Sequence, residues 1–178
     1  MRDDSLSLSK QHLAGDNYLI HLFQEAGRPP SHDIARGHVG VSGTDLDRSL
    51  AFYQDVLELE VIQSSAEAGR RFAFLGAGGR LLLTLWQQST EEFEPRRAGL
   101  HHLSFQVPTL EAVQAAEEKL RARGITPRYD GIVPHRENVE SAALFFTDPD
   151  GIRLEIYSPT GAAGLTAPVA GAPSCGLF

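Results

Sequence analysis

His38, His102 and Glu155 carry the side chains in this sequence best suited to joint chemistry: two imidazoles and a carboxylate, donors of the kind a divalent cation takes. The single cysteine, Cys175, stands in a C-terminal stretch rich in Gly, Ala and Pro. There is thus no disulfide framework, no thiolate cage and no obvious Cys-His nucleophile, and any metal must be held by nitrogen and oxygen. A repeat ties the trio together. His38-Val-Gly-Val-Ser-Gly-Thr-Asp-Leu-Asp aligns with His102-Leu-Ser-Phe-Gln-Val-Pro-Thr-Leu-Glu at an offset of 64 residues.

Each copy reads as strand, then helix. Thr44 is expected to cap a helix with Leu46, Leu50, Tyr53 and Leu57 on one face. Thr109 is expected to cap one carrying Leu110, Val113, Ala116 and Leu120, which Gly124 stops. Three strands should follow each helix, the last two joined by a tight turn: Phe72–Leu75 and Leu81–Trp86 in the first copy, Ala142–Thr147 and Ile152–Tyr157 in the second. Pro149 sits where a type I turn takes its fixed φ. The expectation is an α+β fold of two paired βαβββ modules, residues 37–90 and 99–158, forming a cupped mixed sheet with the helices outside.

Strand parity selects the side chains that enter the cup, because alternate residues point to opposite faces. In the first strand Val39 and Val41 suit the helix side, which leaves His38, Gly40 and Ser42. In the fifth, Leu103, Phe105 and Val107 go outward and His102, Ser104 and Gln106 remain. In the eighth, Leu154 and Ile156 go outward and Arg153, Glu155 and Tyr157 remain. Two imidazoles and a carboxylate converge on one cavity, and parity turns the neighbouring His101 away from it.

Four runs carry a family resemblance: His38-Val-Gly-Val, Asp47-Arg-Ser-Leu-Ala-Phe-Tyr, Gly99-Leu-His-His-Leu-Ser-Phe-Gln-Val and Asp148-Pro-Asp-Gly-Ile-Arg-Leu-Glu-Ile-Tyr. Over residues 37–158 the sequence resembles the vicinal oxygen chelate superfamily of glyoxalase I, extradiol dioxygenases, methylmalonyl-CoA epimerase, fosfomycin-modifying enzymes and bleomycin resistance proteins. The resemblance implies a metal held by His38, His102 and Glu155, a face that leaves coordination positions open. Fe(II) is the expected metal, with Mn, Ni or Zn as alternatives. Glyoxalase I enzymes use a further carboxylate on the fourth strand, where aligning Gly78 or Gly79 with Gly151 places Leu82 or Leu83, and Thr84, Gln87 and Gln88 are weak substitutes. With one base missing, an extradiol-type dioxygenase acting on a small vicinal-oxygen substrate is the first expectation. A glyoxalase I-like lyase or isomerase, or a fosfomycin-modifying-type transferase, is the alternative; a metal-free antibiotic-binding module stands behind both.

The segment from Tyr129 to Glu140, after the sixth strand, makes the second copy the longer by eight or nine residues. It contains His135-Arg136-Glu137, either an acid, an oxyanion partner and an orienter at the rim or an exposed charged loop. His135 and Tyr157 are the candidate catalytic residues; Trp86, Thr84, Phe72, Gln106 and Arg153 are candidates for substrate contact. Phe72, Phe74, Trp86 and Tyr157 are expected to line one aromatic pocket. The family's tyrosine near the metal falls at Phe145 or Phe146.

Composition bounds the remainder. A chain of 178 residues, 42% hydrophobic and 22% charged, fits one globular domain or two similar halves sharing a core. Twenty-three acidic against sixteen basic residues give a net charge of −7, which disfavours nucleic acid as a partner. No apolar run approaches the roughly 20 residues that span a bilayer, and the opening Met1-Arg2-Asp3-Asp4 is polar, so a cytoplasmic protein with no membrane contact is expected. Residues 1–36 hold a candidate helix over Gln11–Ala26, with Leu13, Tyr18, Leu22 and Phe23 on one stripe. Having no place in the repeat, it suggests a homodimer. Residues 159–178 read as a tail without periodicity.

Overall fold

The repeat folds as two modules in a computed structural model that describes residues 37–177. The helix expected over Gln11–Ala26 lies outside the described residues. The first module is β1 (Val39–Gly43), α1 (Leu46–Val56), β2 (Glu60–Ser65), β3 (Phe72–Ala77) and β4 (Arg80–Gln87). The second is β5 (Leu103–Gln106), α2 (Leu110–Ala122), β6 (Val133–Pro134), β7 (Ser141–Thr147) and β8 (Arg153–Gly161). Their strands form two four-stranded mixed sheets, ordered β1-β4-β3-β2 and β5-β8-β7-β6, with one parallel pair in each. No helix among the described residues is long and apolar enough to cross a membrane.

Local chemistry explains where the helices begin. Thr109 caps α2 as expected, its side chain accepting from the Ala112 amide. The cap of α1 is Asp45 rather than Thr44, with Asp45 Oδ1 accepting from the Arg48 amide at 3.1 Å. Thr44 is engaged elsewhere, since both its amide and its hydroxyl donate to Asp150 Oδ1 in the other module. The buried face of α1 is accordingly Leu46, Ser49, Phe52, Tyr53 and Val56; Leu50 is only partly buried and Leu57 is the C-cap. Gly124, at φ +72°, supplies the left-handed residue that ends α2.

Each helix covers one face of its sheet, and both helix faces join in a single core. Phe52, Tyr53 and Val56 of α1 and Val113, Ala116 and Leu120 of α2 pack with Leu75, Leu83, Leu144, Phe146 and Leu154 from the sheets. The Phe52 and Phe146 rings lie 6.2 Å apart across the two modules. A polar joint sits beside them. Tyr53 Oη donates to Asp148 Oδ2 at 3.0 Å, while Asp148 Oδ1 accepts from the amides of Asp150 and Ile152. Arg48 and Ser49 both reach Asp150. Burial pushes the Asp148 carboxyl up to about 6 against these hydrogen bonds, and burial together with the facing Asp148 raises the Tyr53 phenol.

Three sequence expectations move. The sixth strand lies at Val133–Pro134, inside the Tyr129–Glu140 segment rather than before it. Pro134 has no N–H to donate, which suits the sheet edge that β6 forms. On the fourth strand Leu82 is an extra residue, because Leu75 of β3 pairs with Leu83 but Gly76 pairs with Leu81, and this β-bulge shifts the β3–β4 register. A Cβ at Gly76 would lie 2.2 Å from the Arg80 carbonyl, so the bulge needs glycine there. Finally, β8 runs on to Gly161 and the chain beyond it packs: the Ala162 amide bonds the Glu140 carbonyl, and Ser174–Leu177 form a 3-10 turn.

Candidate metal centre

Register fixes which side chains share the open face of the second sheet. Ser104 pairs with Glu155 and Gln106 with Tyr157 across β5 and β8; Phe145 pairs with Glu155 and Ala143 with Tyr157 across β7 and β8. Residues directly opposite one another present the same face. Leu103, Leu154 and Ile156 go to the core, as parity requires.

Glu155 is 3% exposed and fully engaged. Its Oε1 accepts from Ser104 Oγ at 2.9 Å and lies 2.8 Å from His135 Nε2; its Oε2 lies 3.2 Å from His102 Nε2. Burial alone would raise this carboxyl, but the hydrogen bonds from His102 and His135, the His135 charge and the Ser104 hydroxyl outweigh it and hold the group at about 2. Glu155 is therefore an anion at neutral pH, sustained in a buried place only because donors surround it. His135 Nδ1 meets Ser141 Oγ at 2.7 Å, and its ring stands edge-on to Tyr157 with centroids 5.2 Å apart. Tyr157 Oη in turn donates to Gln106 Oε1 at 2.8 Å.

The expected trio is only partly assembled. His102 and Glu155 meet, whereas His38 is exposed and no hydrogen bond or ion pair joins it to either. Among the described residues no three His, Cys, Asp or Glu side chains gather into a metal cage. His135, expected at the rim, instead reaches the carboxylate itself, because it follows β6 directly on the sheet. His101 is exposed, yet its Nδ1 lies 2.8 Å from His102 Nδ1, a contact that parity alone does not reveal. His102 and His135 thus direct imidazole nitrogens at the oxygens of an ionised, buried carboxylate, donor types of the kind a divalent cation takes.

The candidate substrate residues divide between the two sheets. Phe72, Phe74 and Trp86 cluster on the open face of the first sheet, with Phe72 and Trp86 centroids 5.3 Å apart, and Trp86 Nε1 donates to Thr84 Oγ1 at 3.1 Å. Tyr157 belongs to the second sheet, beside His135, so the four aromatics do not line one pocket. Arg153 pairs with Thr147 at the start of β8, half buried. Thr84 also corrects the fourth-strand alignment. It pairs with Gly40 as Glu155 pairs with Ser104, so Thr84, not Leu82 or Leu83, is the counterpart of Glu155; the bulge displaced the alignment. Leu83 is fully buried in the core.

Known proteins share this fold. The family model for the Glyoxalase/Bleomycin resistance protein/Dioxygenase superfamily matches residues 35–156. Catechol-2,3-dioxygenase of Bacillus subtilis (strain 168) is 28% identical over 128 residues, covering 71% of this chain but 42% of that protein, so the chain spans less than half of that relative. Glyoxylase I 4 of Arabidopsis thaliana is 30% identical over 137 residues, 75% of each chain. Among solved structures, a glyoxylase/bleomycin resistance protein/dioxygenase domain from Frankia sp. EAN1pec gives a TM-score of 0.57 at 28% identity, covering 70% of this chain and 97% of that one.

Proposed function

This chain belongs to the Glyoxalase/Bleomycin resistance protein/Dioxygenase superfamily, and from that premise we propose that it is a mononuclear metal enzyme of extradiol-dioxygenase type acting on a small vicinal-oxygen molecule. One observation carries the reading: a buried, ionised Glu155 on which His102 converges at 3.2 Å. His38, His102 and Glu155 are the proposed ligands, Fe(II) the first metal, with Mn, Ni and Zn behind it. His38 precedes the outer strand of the other sheet, and in this proposal it completes the set against the open face of a second copy in a homodimer.

A bound cation would supply Lewis acidity and open positions for a bidentate substrate and dioxygen. The proton work falls to this chain's own groups. Phe145, opposite Glu155, has no hydroxyl, which leaves His135 Nε2 as the acid and base, its ring held by Ser141 Oγ and braced by Tyr157. Tyr157 and Gln106 form the polar wall, with Arg153 on the same strand as a further proposed substrate contact. Trp86 and Phe72 provide an apolar surface for the substrate's other side, with the buried Thr84 hydroxyl holding the indole.

The second reading is a glyoxalase I-like lyase or isomerase, supported by the Arabidopsis relative, whose matched share equals that of this chain. Against it stands Thr84, which leaves the first module without a second carboxylate base. A fosfomycin-modifying-type transferase ranks below both, and a metal-free binding module has no use for the Glu155 cluster.

Metal analysis of anaerobically purified protein, followed by oxygen uptake on a catechol panel, tests the proposal. Bound iron and oxygen consumption with at least one vicinal diol are expected. Isomerisation of the methylglyoxal–glutathione adduct by the nickel or zinc form, with no oxygen uptake by the iron form, would reverse the order.

A further inference from the structure

The open face of the second sheet is covered along one side by chain from beyond residue 156, where the family match ends. Ser174, 1% exposed, is its anchor. Its amide donates to the His135 carbonyl and its hydroxyl to the Pro134 carbonyl, both at 2.7 Å, while its own carbonyl accepts from Tyr129 Oη at 2.7 Å. The next residue, Cys175, packs with Tyr129 and Tyr157 against Val133, Ala143 and Phe145. Because Ala143 pairs with Tyr157 and Phe145 with Glu155, Cys175 rests on the face that carries Glu155. Exposure then changes abruptly across the sheet: Ala143 and Phe145 are 0% exposed, whereas Ser104 and Gln106 on β5 are open to solvent.

We propose that the segment Gly171–Leu177 is a built wall of the candidate site, latched by Ser174, with Cys175 as the lining residue that limits the size of what can reach Glu155. The inference rests on reading the Glu155 face as the site. The wall is apolar, with Cys175 and the Tyr157 ring at its surface over the buried Phe145, and the open side at β5 is polar. A ligand that fits presents its oxygens toward Glu155 and a small apolar edge toward Cys175, and it enters past Ser104 and Gln106. The thiol is raised by burial first and then by the Glu155 charge, as expected of a group seated beside that carboxylate.

Cys175 is the only cysteine in the sequence, so its reaction with Ellman's reagent in the metal-free full chain reads the wall directly. Labelling is expected to be slow in the native protein, about tenfold faster in Ser174→Ala through loss of one latch hydrogen bond, and about threefold faster in Tyr129→Phe through loss of the hydrogen bond to the Ser174 carbonyl. Carbethoxylation of His135, mapped by mass spectrometry, should rise roughly fivefold in Ser174→Ala as the latch loosens. Native labelling as fast as in urea, or unchanged rates in both variants with an unaltered far-UV spectrum, would overturn the proposal. A variant lacking residues 171–178 gives the fully open limit, and the point variants decide if it fails to fold. None of these measurements requires metal or turnover, so the wall stands or falls separately from the metal site: a chain that bound no metal would still show protected or unprotected Cys175.

Discussion

The two modules share a repeat, a strand order and a register, yet their open faces differ in kind. On the first, Gly40 faces Thr84, and Phe72, Phe74 and Trp86 surround them; the hydroxyl there is satisfied by an indole. On the second, Ser104 stands at the Gly40 position and Glu155 at the Thr84 position, with His102 and His135 on the carboxylate. The difference teaches that one scaffold tolerates a buried charge only where donors accompany it. Ser104 provides a hydroxyl that Gly40 lacks, and the longer connection after α2 provides His135.

Converting the second face toward the first should have the largest effect. Glu155→Thr is expected to lower affinity for a divalent cation by roughly 100-fold or more, read by calorimetry, since it removes the only buried anion among the proposed ligands. Next comes the joint that holds the modules together. Asp148→Ala leaves the Tyr53 hydroxyl and two amides without their acceptor and should cost about 3 kcal/mol in urea unfolding. The pH dependence at this joint has a definite sign. Asp148 is raised to about 6 in the fold, above the usual carboxyl value. Its contribution is therefore full below about pH 4 and is lost as pH rises through the folded value. Asp148→Asn should flatten the stability profile between those limits.

The reverse conversion is smaller. Thr84→Glu places a carboxylate in the first face, where Gly40 offers no donor; it should destabilise the chain by about 2 kcal/mol and create no second cation site. Smallest is Ser104→Ala, which removes one hydrogen bond to Glu155 and should cost about 1 kcal/mol.

Much of this was legible in the sequence, for a physical reason. Repeat spacing and strand alternation are local signals, and they brought out both modules, the helix and cup sides of β1, β5 and β8, and the meeting of His102 with Glu155. What escaped depends on geometry that residue types do not encode. The bulge at Leu75 and Gly76 adds a residue to one strand and so moves the counterpart of Glu155 from a leucine to Thr84. Thr44 does not cap α1 because Asp45 accepts the Arg48 amide instead, while Asp150, 106 residues away, accepts from the Thr44 amide and hydroxyl. The small residues after Gly161 have no periodicity, yet three hydrogen bonds at Ser174 seat that segment on the sheet. His135 reaches Glu155 because a two-residue strand precedes it, too short for any alternation to show.

Glu155 and His102 are the proposed core of one divalent metal site. Titration of metal-free protein with Mn2+, followed by calorimetry and by the loss of free-ion electron paramagnetic resonance signal, tests it most directly. One site per chain is expected in the wild type, and none of comparable affinity in His102→Ala. Stoichiometric binding that persists unchanged in His102→Ala, or a wild-type chain that binds no divalent cation under any condition, would contradict it.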